Sequence, residues 1–109
     1  MMRCALFLAA VFLLSGCASI EPRAVVSPTF GSISSNILSV SCVHCHGVLG
    51  GYSFTSYANT LKAVVAGNPD SSPLYTALKT GKMPKLGAHP STVQIQAVGD
   101  WIAAGALDN

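Results

Sequence analysis

Four apolar-periodic segments and the absence of any alternating run predict an all-α fold, a small single domain of about four helices. The segments place apolar residues three or four positions apart, the period of one helix face. They open on Ser-Pro pairs or a Ser-x-x-Gln box and close on glycine. No stretch alternates apolar and polar residues as a half-buried strand does.

The first segment follows Ser27 and Pro28, an N-cap and first-turn pair, with Phe30, Ile33, Ile37 and Leu38 at helical spacing. The second, "SYANTLKAVVAG", sets Tyr57, Leu61, Val64 and Val65 on one side and stops at Gly67. The third repeats the Ser-Pro start at Ser72 and Pro73, carries Leu74, Tyr75 and Leu78, and ends near Gly81. The last has Ser91 and Gln94 as a capping box, then Ile95, Val98, Trp101 and Ile102 as its buried stripe before Gly105. Trp101 is expected to pack against the small Ser34 and Ser35 face of the first helix.

Ahead of these segments the chain reads as an export signal. "MMR" gives a positive start, "CALFLAAVFLL" an apolar run of eleven residues, and "SGC" the small residues of a cleavage site. Eleven residues are too few to span a bilayer, which takes roughly 20. Leu14-Ser15-Gly16-Cys17 resembles a bacterial lipoprotein box, which implies cleavage before Cys17 and acylation of that residue. Several acyl chains at ~0.8 kcal/mol per buried CH₂ make a stable anchor. Ala18 rather than Asp after the cysteine implies the outer membrane in a Gram-negative host, with the domain facing the periplasm. The organisation expected is a signal peptide at 1–16, a lipidated cysteine and tether at 17–27, and a folded unit at 28–109.

Composition narrows the function. Half the residues are apolar and the net charge is +2, so no strongly basic nucleic-acid surface exists and no nucleic-acid partner is expected. Once Cys4 leaves with the signal and Cys17 takes lipid, Cys42 and Cys45 remain. A disulfide between them would close a very short loop and restrain little of the unfolded chain. A unit of this size has a marginal core and needs something to supplement it.

Cys42-Val43-His44-Cys45-His46 is a CxxCH motif, the attachment site of c-type haem. Two thiols one helical turn apart can each add to one porphyrin vinyl group, and the next residue presents its imidazole to the iron. His46 is the expected proximal ligand. The same residues allow a zinc reading, with Cys42, Cys45, His46 and either His44 or His89 as ligands, although no second pair at finger-like spacing accompanies them. A thioredoxin-type pair would want a strand-helix context for its CxxC, and the sequence lacks one. His44 is expected to be an exposed filler of the motif.

Iron in an electron carrier is closed by Met or His, and the thioether raises the potential. Met83 is the one methionine left after signal removal, and "TGKMPKLG" surrounds it with Gly81, Pro84 and Gly87, which can carry a side chain inward. The competing reading makes Met83 a gap-filling core residue. His89, in "GAHPS", is the reserve ligand; otherwise it is a surface imidazole.

With its N-terminal helix, "CVHCHG", an MP pair 37 residues past His46 and a final helix bearing an aromatic, the chain resembles class I cytochromes c over nearly all of 28–109. More narrowly, the double glycine after the motif, "GNPDSSPLY", the MP pair and "WIAAGA" are similar to the planctomycete-type cytochrome c domain. The resemblance implies a cytochrome c fold around one covalent haem c. It makes Cys42 and Cys45 the thioether residues, His46 the proximal ligand and Met83 the distal one. Related domains often carry a second proline after the MP pair, where this chain has Lys85.

Lys79, Lys82 and Lys85 surround Met83 and would steer redox partners with acidic docking surfaces; the alternative is a solvated loop charged for solubility. The expected function is a membrane-anchored monohaem cytochrome carrying single electrons, with no enzymatic reaction of its own. Two alternatives stay open: an open-iron haem domain acting in catalysis or in gas or peroxide sensing, and a haem subunit of a larger redox complex.

Overall fold

The computed structural model describes residues 25–46 and 51–109, apart from the His44 side chain. The signal segment, Cys17 and most of the tether lie outside the described residues. Among those described, every regular element is helical and no strand occurs, as the apolar periods require.

A continuous helical rod comes first: α1, Phe30–Ile33; a π-helical stretch, Ser34–Cys42; and α2, Val43–His46. The rod begins later than the Ser27-Pro28 pair suggested. Thr29 is the N-cap, its side chain accepting from Ser32 N. Ser27 instead donates its backbone N–H to Ser32 Oγ. Val26, assigned to the tether by sequence, is buried in the core, so the folded unit reaches at least that residue.

Helix α3, Tyr57–Thr60, is capped by Ser56 and tightens into a 3₁₀ turn at Leu61–Ala63. It stops well short of Gly67. Val64 is extended, with φ −132° and ψ 135°, and Val65 is exposed. Thr60 and Ala63 take the fully buried places instead. The cause is Ser72: its buried hydroxyl accepts from Val65 N at 2.8 Å and donates to Asn68 O at 2.8 Å, holding 65–72 as a compact corner. A 3₁₀ turn at Pro69–Ser71, capped by Asn68, fills that corner.

Helix α4, Pro73–Lys79, starts at Ser72 and Pro73 as the sequence indicates and ends before Gly81, whose φ is +75°. Helix α5, Thr92–Ala103, has its capping box formed in both directions. Ser91 N donates to Gln94 Oε1 at 2.9 Å, and Gln94 N donates to Ser91 Oγ at 3.2 Å.

The core lies where the rod meets α5. Ile33, Ile37, Leu38, Val98, Trp101 and Ile102 are all essentially inaccessible to water. The Trp101 ring packs on Phe30 at 5.9 Å between centroids, and its Nε1–H donates to Leu107 O at 2.8 Å. Of the two serines expected to face Trp101, Ser35 is exposed and Ser34 half-buried, and the aromatic neighbour of the ring is Phe30. Helices α4 and α5 approach closely because residue 99 is glycine. A Cβ there would lie 2.8 Å from the Tyr75 ring, inside van der Waals contact.

The C-terminus closes the fold. Phe30 N and Gly31 N donate to Asn109 Oδ1 and O, at 3.0 and 2.8 Å. These are orphan donors of the rod's first turn, so the two ends of the unit are tied together. Tyr57 Oη donates to Ala106 O at 2.7 Å and holds the same segment to α3.

Candidate functional site

The π-helical winding decides where the motif cysteines go. In an α-helix at 3.6 residues per turn, the nine positions from Ile33 to Cys42 make two and a half turns and put the two on opposite sides. With i→i+5 bonding, as from Val43 N to Leu38 O, each turn holds more residues. Cys42 therefore comes round to the side of Ile33, Ile37 and Leu38, and all four are buried. Winding of this kind is rare and is frequently found at functional sites. The sequence shows no trace of it.

Burial has an electrostatic consequence. Loss of solvation disfavours the thiolate and pushes the Cys42 thiol up to about 11, so at neutral pH it is a protonated thiol. Cys45, in α2, is exposed and uncombined. It lies outside the lining of the cavity that Cys42 borders.

His46, the last residue of α2, is oriented by residues 52–54. Its Nδ1 lies 3.0 Å from Tyr52 O. A carbonyl oxygen can only accept, so Nδ1 carries a proton, and in the neutral ring the lone pair then lies on Nε2. The buried Phe54 meets the imidazole edge-to-face, with centroids 5.2 Å apart and planes at 68°. Sequence reasoning missed both contacts. Phe54 has a signal of sorts, as a large apolar residue soon after the motif, whereas the Tyr52 contact is a backbone carbonyl that no side-chain identity announces.

Cys42 and His46 border a cavity of about 450 Å³, within the range of cofactor sites. Its apolar wall includes Phe54, Leu74, Leu78 and Pro84, all buried. Met83 also lines it, half-buried. The loop is held there by the left-handed Gly81 and by Met83 N donating to Ala77 O at 3.1 Å. The cavity thus brings together three residues that the sequence singles out: Cys42, His46 and Met83.

Other candidates lie elsewhere. His89 is exposed and outside the cavity lining. Among the described residues no three His, Cys, Asp or Glu side chains converge, so the zinc ligand set is not assembled there. The CxxC has no strand beside it among the described residues, unlike the setting a thioredoxin-type pair would want. Of the three lysines, Lys82 contributes to the cavity wall, Lys79 places its Nζ 5.6 Å from the centre of the Tyr75 ring, and Lys85 is exposed.

A large planar apolar group with a metal at its centre fits this chemistry: a greasy slot, an imidazole with its second nitrogen free, a thioether, and a thiol at the wall. No protein-family model, curated protein or solved structure matches the chain.

Proposed function

We propose that the chain is a class I c-type cytochrome, most like the planctomycete-type domain, that carries one covalent haem and passes single electrons. One observation carries this reading: the CxxCH motif ends a helix at a cavity that Cys42, His46 and Met83 all line, with His46 Nε2 left free by the Nδ1 bond to Tyr52 O. Bound haem supplies a one-electron Fe(III)/Fe(II) couple.

The chain's own residues do the rest. Cys42 and Cys45 would hold the haem, each thiol adding S–H across one vinyl C=C with an S–C bond formed, the hydrogen placed on the neighbouring carbon and no net oxidation. His46 offers Nε2, and donation from its Nδ1–H to Tyr52 O fixes the ring and raises its basicity. Met83 offers a soft thioether, which favours the reduced state. The apolar wall excludes water and strengthens every electrostatic interaction inside. Lys79 and Lys85 give the surface near Met83 a positive character that attracts acidic redox partners. Cys17, acylated, would hold the domain at the periplasmic face of a membrane, the outer one in a Gram-negative host.

One spectrum of the purified protein tests the reading. A covalent haem, low-spin when oxidised, with the weak near-infrared sulfur-to-iron band and poor carbon monoxide binding when reduced, is the expected result. Met83→Ala should then abolish that band, lower the potential and admit exogenous ligands. A wild-type protein that is high-spin and binds carbon monoxide readily would promote the catalytic or sensing alternative. Low-spin iron without the sulfur band would move the distal ligand to His89.

A further inference from the structure

The cavity wall is sharply divided in character. Its buried part is apolar: Phe54, Ala63, Leu74, Leu78 and Pro84. Its exposed part includes Thr80 and Lys82, and Lys82 is the one fixed charge on the wall among the described residues. Thr80 and Lys82 follow the C-terminal end of α4, where bare carbonyls would repel an anion. Three of the last four carbonyls are engaged: Thr76 O by Thr80 N at 3.0 Å, Ala77 O by Met83 N at 3.1 Å and Leu78 O by Gly81 N at 3.2 Å.

Haem is itself divided in this way, an apolar macrocycle with two carboxylates on one edge. Burying a carboxylate without a partner costs far more than leaving it at a solvated rim beside a cation. The bound orientation that satisfies both halves puts the ring against the apolar wall and the carboxylate edge at the Thr80–Lys82 rim.

We propose that Lys82 is the counter-ion of a haem propionate, a positioning residue that sets the cofactor's orientation and raises its potential, while Lys79 and Lys85 are left for partner steering. The inference rests on the haem reading. It separates three lysines that the sequence presents as one group. Lys79 is directed over the Tyr75 ring, and Lys85 lies beyond Met83 and Pro84 and is absent from the lining.

The test uses the full-length holoprotein and the variants Lys82→Gln, Lys82→Arg and Lys85→Gln. Two measurements are made on each, the midpoint potential at low and high salt and the propionate bending band in the resonance Raman spectrum. Removing a cation beside the haem favours the ferric state. Lys82→Gln should lower the reduction equilibrium constant roughly threefold, about 30 mV at 59 mV per tenfold, with the difference shrinking at high salt. The propionate band should move with it, and Lys82→Arg should restore both. Lys85→Gln should leave the band in place. A Lys82→Gln protein whose band is unmoved and whose potential changes no more than that of Lys85→Gln overturns the proposal while leaving the haem reading intact. A wild-type protein that fails a pyridine haemochrome assay for haem c overturns the haem reading, and this inference with it.

Discussion

The first rod and the last helix pack on each other through Phe30 and Trp101, yet they are built by different rules. Helix α5 is regular, begins at a reciprocal capping box and ends two residues before a left-handed glycine. Its buried residues are Ala97, Val98, Gly99, Trp101 and Ile102, with no titratable group among them. The rod changes winding along its length, buries a thiol and carries an imidazole whose Nδ1 meets a carbonyl six residues further on. One helix is specified by its own residues. The other departs from those local rules, as functional or strained segments do.

If that division is real, damage to α5 should cost stability without altering the site. Trp101 fills the junction of the two elements, is 1 % exposed and donates to Leu107 O. Trp101→Ala should cost ~3–5 kcal/mol from the cavity and the lost packing, measured by denaturant unfolding of the holoprotein. Below the transition the visible spectrum should match wild type. A folded variant with altered iron ligation would show that scaffold and site are one unit.

The same contrast explains what could be read in advance. Ser91 with Gln94, Ser72 with Pro73, and Gly81 announce helix ends through residue types whose chemistry is local, and the structure has each boundary there. Side-chain chemistry also singled out Cys42, His46 and Met83, which the cavity brings together, whereas of Lys79, Lys82 and Lys85 it takes in Lys82 alone. Three things were not. Val64 and Val65 continue a helical apolar period, but Ser72, seven residues past Val65, takes the Val65 backbone groups into a corner. Thr29, not Ser27, caps the rod, where donors of the first turn are claimed by Asn109 at the far end of the chain. The winding of 34–42 and the Tyr52 carbonyl depend on backbone geometry, which no residue name encodes. In the first two cases a contact from outside the segment overrode a local signal, and in the third the backbone path itself carries the information.

A smaller effect probes the rod. In the haem-free chain burial pushes the Cys42 thiol up from its ordinary value near 9.0 to about 11. The unfolded chain therefore releases this proton first as pH rises. The folded-state advantage is complete below pH ~9 and is lost progressively toward pH ~11, so haem-free protein should lose stability across that window. Cys42→Ala should remove this component of the slope. Haem attachment should remove it too, because a thioether has no proton to lose. Chemical denaturation at several pH values from 8 to 11 would check all three, and an identical slope in Cys42→Ala would mean that the thiol is not buried in the haem-free fold.

The smallest effect compares the two helix starts directly. Ser91 and Gln94 satisfy each other's backbone N–H groups within one turn. The cap is closed within that turn, so Ser91→Ala should cost ~1 kcal/mol. Gln94→Ala should cost less, and the pair should couple in a double-mutant cycle because each residue bonds the other. At the rod, Thr29 Oγ1 accepts from Ser32 N at 3.3 Å, a longer bond, while Asn109 takes the donors of Phe30 and Gly31. Thr29→Ala should therefore cost less than Ser91→Ala, and Asn109→Ala should make the Thr29 substitution more damaging. Equal costs at the two caps, with no coupling between Thr29 and Asn109, would mean that the rod's start is as self-sufficient as that of α5, and that its dependence on distant contacts begins only at the π-helical stretch.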